Sequence, residues 1–306
     1  MAALRIGQKF FAWGSRTFVM GILNITPDSF SGDGLLPADG SSLGQDMGTL
    51  ERVMTQARRF LATGADILDV GGESTRPGSQ TVSVDEELRR VLPVIRALSG
   101  EFPDAVISID TYKSEVAADA IKTGAHLVND VWGLRGDPLL AEVVARHAVP
   151  VVLMHNRSKP SNAQVQENLG GRYVGMRYID LLEDVKTDLL ESVARAREAG
   201  IATENIILDP GIGFGKTVEQ NLELLNRLAE IRALGFPVLL GPSRKSFIGY
   251  TLNLPPDQRV EGTAAAVSVG IARGADLIRV HDVEMMVRVA RMTDAIVRPR
   301  LDVREC

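Results

Sequence analysis

The sequence predicts an α/β chain closing into a single (β/α)8 TIM barrel with a short N-terminal β-hairpin. Three observations carry this. Eight apolar segments of strand length alternate with eight stretches of helical periodicity. Most of the apolar segments run into a polar residue and then a turn rich in Gly, Pro, Asp or Ser. The 306 residues suit one barrel, which needs roughly 250, with modest additions. A doubly wound open sheet shares the alternation, but its dinucleotide-binding form needs a Gly-rich turn after the first strand. Here that turn reads Asn24-Ile25-Thr26-Pro27-Asp28.

The elements follow in order, within one expected domain of residues 1–306. Leu4 to Ala12 reads as two short strands about Gly7-Gln8, a hairpin within residues 1–16 suited to plugging the barrel bottom. Strand one, Thr17–Asn24, is an apolar run that stops on an amide. Residues 25–48 form the first loop. Its glycines and Pro37 predict a mobile lid, with Pro27, Asp28, Phe30 and Asp33 at the working tip. Helices are expected at Thr49–Thr63, Val84–Leu98, Lys113–Lys122 and Pro138–Arg146. Glycines 64, 100 and 124 act as stop signals behind the first three. Between them lie strands at Asp66–Val70, Ala105–Ile109, His126–Val128 and Pro150–Leu153. A long helix is expected from Tyr173 to Ala199, stopping at Gly200. Strand six (Asn205–Leu208), a helix (Glu219–Leu234), strand seven (Pro237–Leu240), a helix (Gly262–Arg273), strand eight (Asp276–Ile278) and a last helix (Val283–Val297) complete the count. Gly211–Thr217 resembles a phosphate loop but misses it, because the required glycine five residues before Gly215 falls on Pro210.

Composition narrows the partners. A net charge of -5 argues against nucleic acid or an anionic membrane surface. No apolar run reaches the 18 or so residues of a membrane helix. The one cysteine, Cys306, allows neither an intramolecular disulfide nor a zinc–cysteine site, and fits a reducing cytoplasm. Small molecules remain as the expected ligands.

In a barrel, the polar residues at strand ends converge on one mouth. They sort into two sets. Asp110, Asn129 and Asp209 suit the edge of a flat heterocycle carrying several N–H donors and a carbonyl. The alternative for each is helix capping; Asp110, just before Thr111-Tyr112-Lys113, is placed to cap the third helix. Arg76, Lys245, Arg279 and His281 form a cationic set, which on an acidic protein points to a phosphate or diphosphate. Asn24 and Asp28 offer oxygens to a hard cation such as Mg²⁺. Trp132 and Phe214 stand where they could stack on a planar ligand, while His126 and His147 read as packing residues.

These segments together resemble the dihydropteroate synthase family. The resemblance rests on Ile22-Leu23-Asn24-Ile25-Thr26-Pro27-Asp28-Ser29-Phe30-Ser31, Gly71-Gly72-Glu73-Ser74-Thr75-Arg76-Pro77-Gly78 and Ser243-Arg244-Lys245-Ser246-Phe247, within a match from about residue 17 to 297. It implies a (β/α)8 enzyme that joins p-aminobenzoate to hydroxymethyl-dihydropterin pyrophosphate, releases pyrophosphate, uses Mg²⁺, is a sulfonamide target and forms a homodimer. Carried over by position, the resemblance gives Asp110, Asn129, Asp209 and Lys245 to the pterin. It gives Asn24 to Mg²⁺, and Thr75, Arg76, Arg279 and His281 to the diphosphate. Thr75, Arg76, Pro77 and Ser246 go to the p-aminobenzoate pocket, with Pro27, Phe30 and Phe214 beside it. Met154 and Gly241 join the substrate-binding set. The catalytic core on this reading is Asp110, Asp209, Lys245, Arg279 and His281. Two features depart from the family pattern: Asp33 stands one position later than usual in the loop, and the linker Leu35–Gly48 is longer. A pterin-dependent methyltransferase and a non-catalytic pterin-binding homologue are the alternatives from other classes.

Overall fold

The computed structural model describes residues 3–26, 47–75, 79, 81–166, 168–174 and 176–298. The chain opens with the antiparallel hairpin of β1 (Leu4–Ile6) and β2 (Lys9–Phe11), with Leu4 opposite Phe11. Gly7 turns it at φ +57°, a conformation glycine adopts at no steric cost. Then follow β3 (Phe18–Asn24), α1 (Met47–Thr63), β4 (Ile67–Gly71), α2 (Val84–Glu101), β5 (Val106–Asp110), α3 (Ser114–Thr123), β6 (Leu127–Asp130), α4 (Leu140–His147) and β7 (Val151–Met154). The second half runs β8 (Ala163–Gln166), β9 (Gly170–Tyr173), α5 (Leu181–Glu198), β10 (Ile206–Asp209), α6 (Val218–Asn226), α7 (Leu228–Arg232), β11 (Leu239–Leu240), α8 (Ser246–Leu252), α9 (Val260–Ala272), β12 (Leu277–Val280) and α10 (Val283–Val297).

Eight strands form one parallel sheet in the order β10-β7-β6-β5-β4-β3-β12-β11. Its two edges meet. Leu208 of β10 bridges Val238 in parallel, and the Leu208 N–H donates to Pro237 O at 2.9 Å. The expected barrel is the observed fold.

Closure gives the strands an inside and an outside, and side-chain alternation sorts residues between them. Leu68, Val70, Ile109, Val128, Leu153 and Leu208 face out and pack under the helices in the main apolar core. Met20, Ile67, Val106, Leu127, Val152, Ile207, Leu239 and Leu277 belong to a second, separate core with Leu4, Ile6, Phe11 and Trp13 of the hairpin segment. The Phe11 ring lies 4.7 Å from Phe18 and 5.5 Å from Trp13, contacts worth about 0.5–1.5 kcal/mol each beyond burial. The hairpin therefore plugs the barrel bottom. Two residues further along the strands, the inward positions become Ile22, Asp69, Ser108, Asn129, Met154, Asp209, Gly241 and Arg279. Within about 7 Å of strand rise the interior changes from apolar to mostly polar.

Three expectations need correction. The helix expected from Tyr173 starts at Leu181, because the Asp180 carboxylate caps it by accepting from the Leu182 and Glu183 N–H groups, both at 3.0 Å. Tyr173 ends β9, which pairs antiparallel with β8 over residues 163–173. The helix expected at Glu219–Leu234 breaks at Arg227 into α6 and α7. A short helix, α8, follows strand seven where none was expected. Pro27, Asp28, Phe30, Asp33, Arg76 and Pro77, and the first-loop tether over residues 35–46, lie outside the described residues.

Candidate active site

The polar layer is held by one cation. Arg279, inward on β12, donates from Nε to Asp69 Oδ2 at 2.6 Å and from Nη2 to Asp110 Oδ2 at 2.5 Å. The Asn129 amide donates to the same Asp69 oxygen at 3.2 Å. Asp69 is fully buried, and its other oxygen has no hydrogen-bond partner among the described residues. The register explains the meeting: Asp69 sits beside Ile22, Gly71 beside Asp110, and Asp110 beside Asn129 on consecutive strands. Burial pushes the Asp110 carboxyl up to about 7, against the pull of Arg279, while the two carboxylates hold the Arg279 guanidinium firmly protonated despite its burial. The capping alternative for Asp110 falls. Its carboxylate faces Arg279, and the first N–H of α3, on Ser114, is taken by Asp137 Oδ2 at 2.8 Å.

Across the barrel, Asp209 is buried at the end of β10 and accepts from the Gly211 N–H at 2.7 Å. Burial raises its carboxyl, opposed by Lys245. Lys245 precedes α8. Its ammonium donates to Ile212 O and lies 4.6 Å from the Phe214 ring centroid. Burial lowers Lys245 to about 8, with Asp209 pulling the other way. Of the two aromatic candidates, Phe214 lines the cavity above this layer, whereas Trp132 does not.

That cavity opens at the carboxyl ends of the strands. Asn24, Thr75, Asp110, Phe214, Lys245, Ser246, Arg279 and His281 line it, and Asn129, Met154 and Asp209 lie buried outside its lining. The structure thus gathers eight of the expected site residues that it describes around one cavity and leaves Asn129, Met154, Asp209 and Gly241 outside its lining. His281 is set by Ser243, whose Oγ accepts the His281 N–H at 3.1 Å and lies 2.9 Å from Nδ1. Gly241 leaves space: a Cβ there would meet Arg279 Cβ and Lys245 Nζ at 3.8 Å, ordinary contact. Arg244, between Ser243 and Lys245, also lines the cavity and grips Asp282 at 2.9 and 2.6 Å.

An apolar plug, a layer of paired acids and cations above it, and an amide at the rim describe a seat for a flat, polar, anion-bearing ligand. The comparisons with known proteins agree. Residues 20–281 match the family of pterin binding enzymes. A dihydropteroate synthase of Clostridium beijerinckii is 48% identical over 296 residues, 96% of this chain and 100% of that one. The chain belongs to the dihydropteroate synthase family of pterin-binding enzymes. A crystal structure of the Clostridium difficile dihydropteroate synthase in the presence of pteroic acid superposes with a TM-score of 0.81 at 46% identity, covering 94% of this chain and 99% of that one. The Yersinia pestis dihydropteroate synthase with a sulfonamide drug gives 0.85 at 40% identity, covering 96% and 99%.

Within this dihydropteroate synthase fold the sequence reading missed three features. Asp69 interrupts the apolar run Ile67-Leu68-Asp69-Val70, and a carboxylate inside a buried strand was the available signal. The β8–β9 hairpin supplies Val165, Leu169, Gly170 and Gly171 to the cavity wall. Arg259 secures that wall by donating to Leu169 O at 2.9 Å. Lys216, in the segment resembling a phosphate loop, is 1% exposed and points into the protein. His126 does pack: a Cβ on Gly7 would lie 3.0 Å from its ring.

Proposed function

We propose that this barrel mouth performs the dihydropteroate synthase reaction, with the pterin seated on the polar layer and p-aminobenzoate arriving from the rim. The observation that carries the reading is the stack of Asp69, Asp110, Asn129, Asp209, Lys245 and Arg279 above an apolar plug. Pterin presents an N–H edge and a carbonyl. Asp110, Asn129 and Asp209 accept from that edge, and Lys245 donates to the carbonyl side. Gly241 gives the ring room, and Met154 gives it an apolar contact. Thr75, Arg279 and His281, with Arg76, face the diphosphate. Ser246, Thr75 and Phe214, with Pro27, Phe30, Arg76 and Pro77, form the p-aminobenzoate side.

In the reaction the bond from the exocyclic carbon to the diphosphate oxygen breaks. A bond from the arylamine nitrogen to that carbon forms, and the arylamine releases one proton. No side-chain nucleophile is required. The buried carboxylates Asp110 and Asp209 stabilise positive charge developing on the pterin, and the cations at the rim stabilise the departing diphosphate.

Mg²⁺ fits this donor set. Asn24 offers one amide oxygen at the cavity wall, and among the described residues no three His, Cys, Asp or Glu side chains cluster to hold an ion unaided. Such a site suits a cation that shares its coordination with substrate phosphates. Asn24 would hold it there, and the chemistry it would supply is neutralisation of charge on the diphosphate. We assign the active form as a homodimer, joined through α9 and α10, whose outer faces expose Val269, Met285, Met292 and Ile296. No helix among the described residues is long and apolar enough to cross a membrane. We place the enzyme in the cytoplasm, and read residues 1–306 as one domain.

The test is diphosphate release, measured with the pterin substrate in the presence and absence of p-aminobenzoate. Release that requires both supports the reading. Release indifferent to the arylamine, or none, overturns it and favours a pterin-binding protein of another activity. Asp209→Asn should weaken pterin binding by about 1–3 kcal/mol, since a donor replaces one acceptor oxygen.

A further inference from the structure

Lys245 is held by a seat of three residues. Its ammonium donates to Ile212 O, its stem crosses Gly213, and its charge lies over the Phe214 ring. Gly213 sits at φ +85°, and a Cβ there would come within 2.8 Å of Lys245 Cδ. The seat is a stretch of loop between β10 and α6, so something must fix it. Lys216 brackets it from inside. Its ammonium donates to Gly211 O at 2.9 Å and to Phe214 O at 3.1 Å, the carbonyls on either side of Ile212 and Gly213. Its third contact is His155 Nδ1 at 2.8 Å. Three acceptors for three N–H groups account for every hydrogen of an ammonium. His155 is 1% exposed; its Nε2 lies 3.1 Å from Asp188 Oδ2 without hydrogen-bond alignment, and a ring proton on Nε2, beside that carboxylate, leaves Nδ1 to accept from Lys216. Arg157 in turn grips Asp188 at 2.6 and 2.9 Å. Asn221 of α6 also holds the loop, accepting the Gly213 N–H at 2.6 Å and donating to Thr217 O at 2.7 Å and to Lys216 O at 3.3 Å.

We propose that Lys216 is a positioning residue for the pterin side of the reaction, acting through Lys245 by fixing the Ile212–Phe214 seat against His155. The proposal rests on the reading above that Lys245 meets the pterin. It predicts coupling of a kind that a general contribution to stability lacks.

The experiment is a double-mutant cycle on the full chain. Binding of the pterin pyrophosphate is titrated for wild type, Lys216→Met, Lys245→Met and the double variant, and KM for p-aminobenzoate is measured at saturating pterin substrate. Lys216→Met should weaken pterin binding roughly tenfold or more, the loss of one to two buried hydrogen-bonded constraints on Lys245. In the Lys245→Met background the same change should cost less than about twofold, because its target is gone. KM for p-aminobenzoate should move less than about threefold. Fold-losses that multiply across the two sites overturn the proposal, as does a loss that falls equally on both substrates. Wild-type pterin affinity in Lys245→Met overturns the placement of Lys245 itself, a failure read from that single variant and separate from the coupling. Asn221→Ala, which loosens the seat while leaving the Lys216 ammonium and its three acceptors in place, provides a second route should Lys216→Met not fold. It should show the same coupling to Lys245, and additivity there overturns the proposal too.

Discussion

Asp69→Asn tests the polar layer at its anchor. The substitution keeps the shape and removes the charge. Asp69 Oδ2 now accepts from Arg279 Nε at 2.6 Å and Asn129 Nδ2 at 3.2 Å. One amide oxygen can still face these donors, but the new NH₂ then occupies the place of Oδ1, which has no hydrogen-bond partner among the described residues. The charge-assisted bond to Arg279 weakens, worth about 1.5–3 kcal/mol, and an unpaired buried donor adds a penalty of about 1–3 kcal/mol. Asp110 remains on the other side of Arg279, so the guanidinium is not stranded and the full ~3–5 kcal/mol of a broken buried pair does not apply. A stability loss of about 2–4 kcal/mol follows, which a domain stable by roughly 5–15 kcal/mol survives at 25 °C. Arg279 would be freer to shift from the diphosphate side, lowering kcat/KM for the pterin substrate about 10- to 100-fold. Thermal unfolding and the diphosphate-release assay at saturating p-aminobenzoate measure the two effects. Wild-type Tm together with wild-type kcat/KM would refute the anchoring role of Asp69.

Burial lowers Lys245 to about 8 from an ordinary 10.5, so pterin affinity should fall as pH rises through about 8, and Lys245→Met should lack that alkaline limb in a binding titration. The stability sign follows from the same depression. Holding the ammonium buried costs stability below about 8, and the cost fades as pH climbs to 10.5, so Lys245→Met should raise Tm more at pH 7 than at pH 10. His155 is held down to about 3, chiefly by burial and by Lys216, so its ring should not titrate between pH 5 and 8 in an NMR series. Its contribution to stability should be lost as pH falls from 6.5 towards 3, and a normal titration would contradict the neutral ring. Gly211→Ala should cost about 3 kcal/mol or more, since φ is +70° and the new Cβ would lie 1.8 Å from His155 O; an unchanged Tm on thermal unfolding would contradict that contact.

Most of the candidate site was legible because a barrel turns a local pattern into a place. An apolar run ending in Asn24, Asp110, Asn129 or Asp209 announces its own strand end, and closure carries all such ends to one mouth. The β8–β9 hairpin was illegible for the opposite reason. By sequence the helical stretch runs on from Tyr173, and only the cap at Asp180 and the pairing of Ala163 with Tyr173 divide it.

The sequence by itself determined the alternation, the barrel, the polar strand ends and, through its motifs, the chemistry they suit. Partners were decided by the tertiary structure. Arg279, sorted on charge with the diphosphate cations, is wedged between Asp69 and Asp110, 210 and 169 positions away in the chain. Arg244 and Lys245 are neighbours in sequence, yet one grips Asp282 at the rim and the other reaches Ile212 in the interior. Lys216, in a segment resembling a phosphate loop, reaches instead for His155, 61 positions away. The physical reason is one of range. Side-chain alternation and turn chemistry act over a few residues and are written locally. Which buried charge faces which is fixed by the register and closure of eight strands, where each ion must find a partner across the barrel or bear the cost of its desolvation.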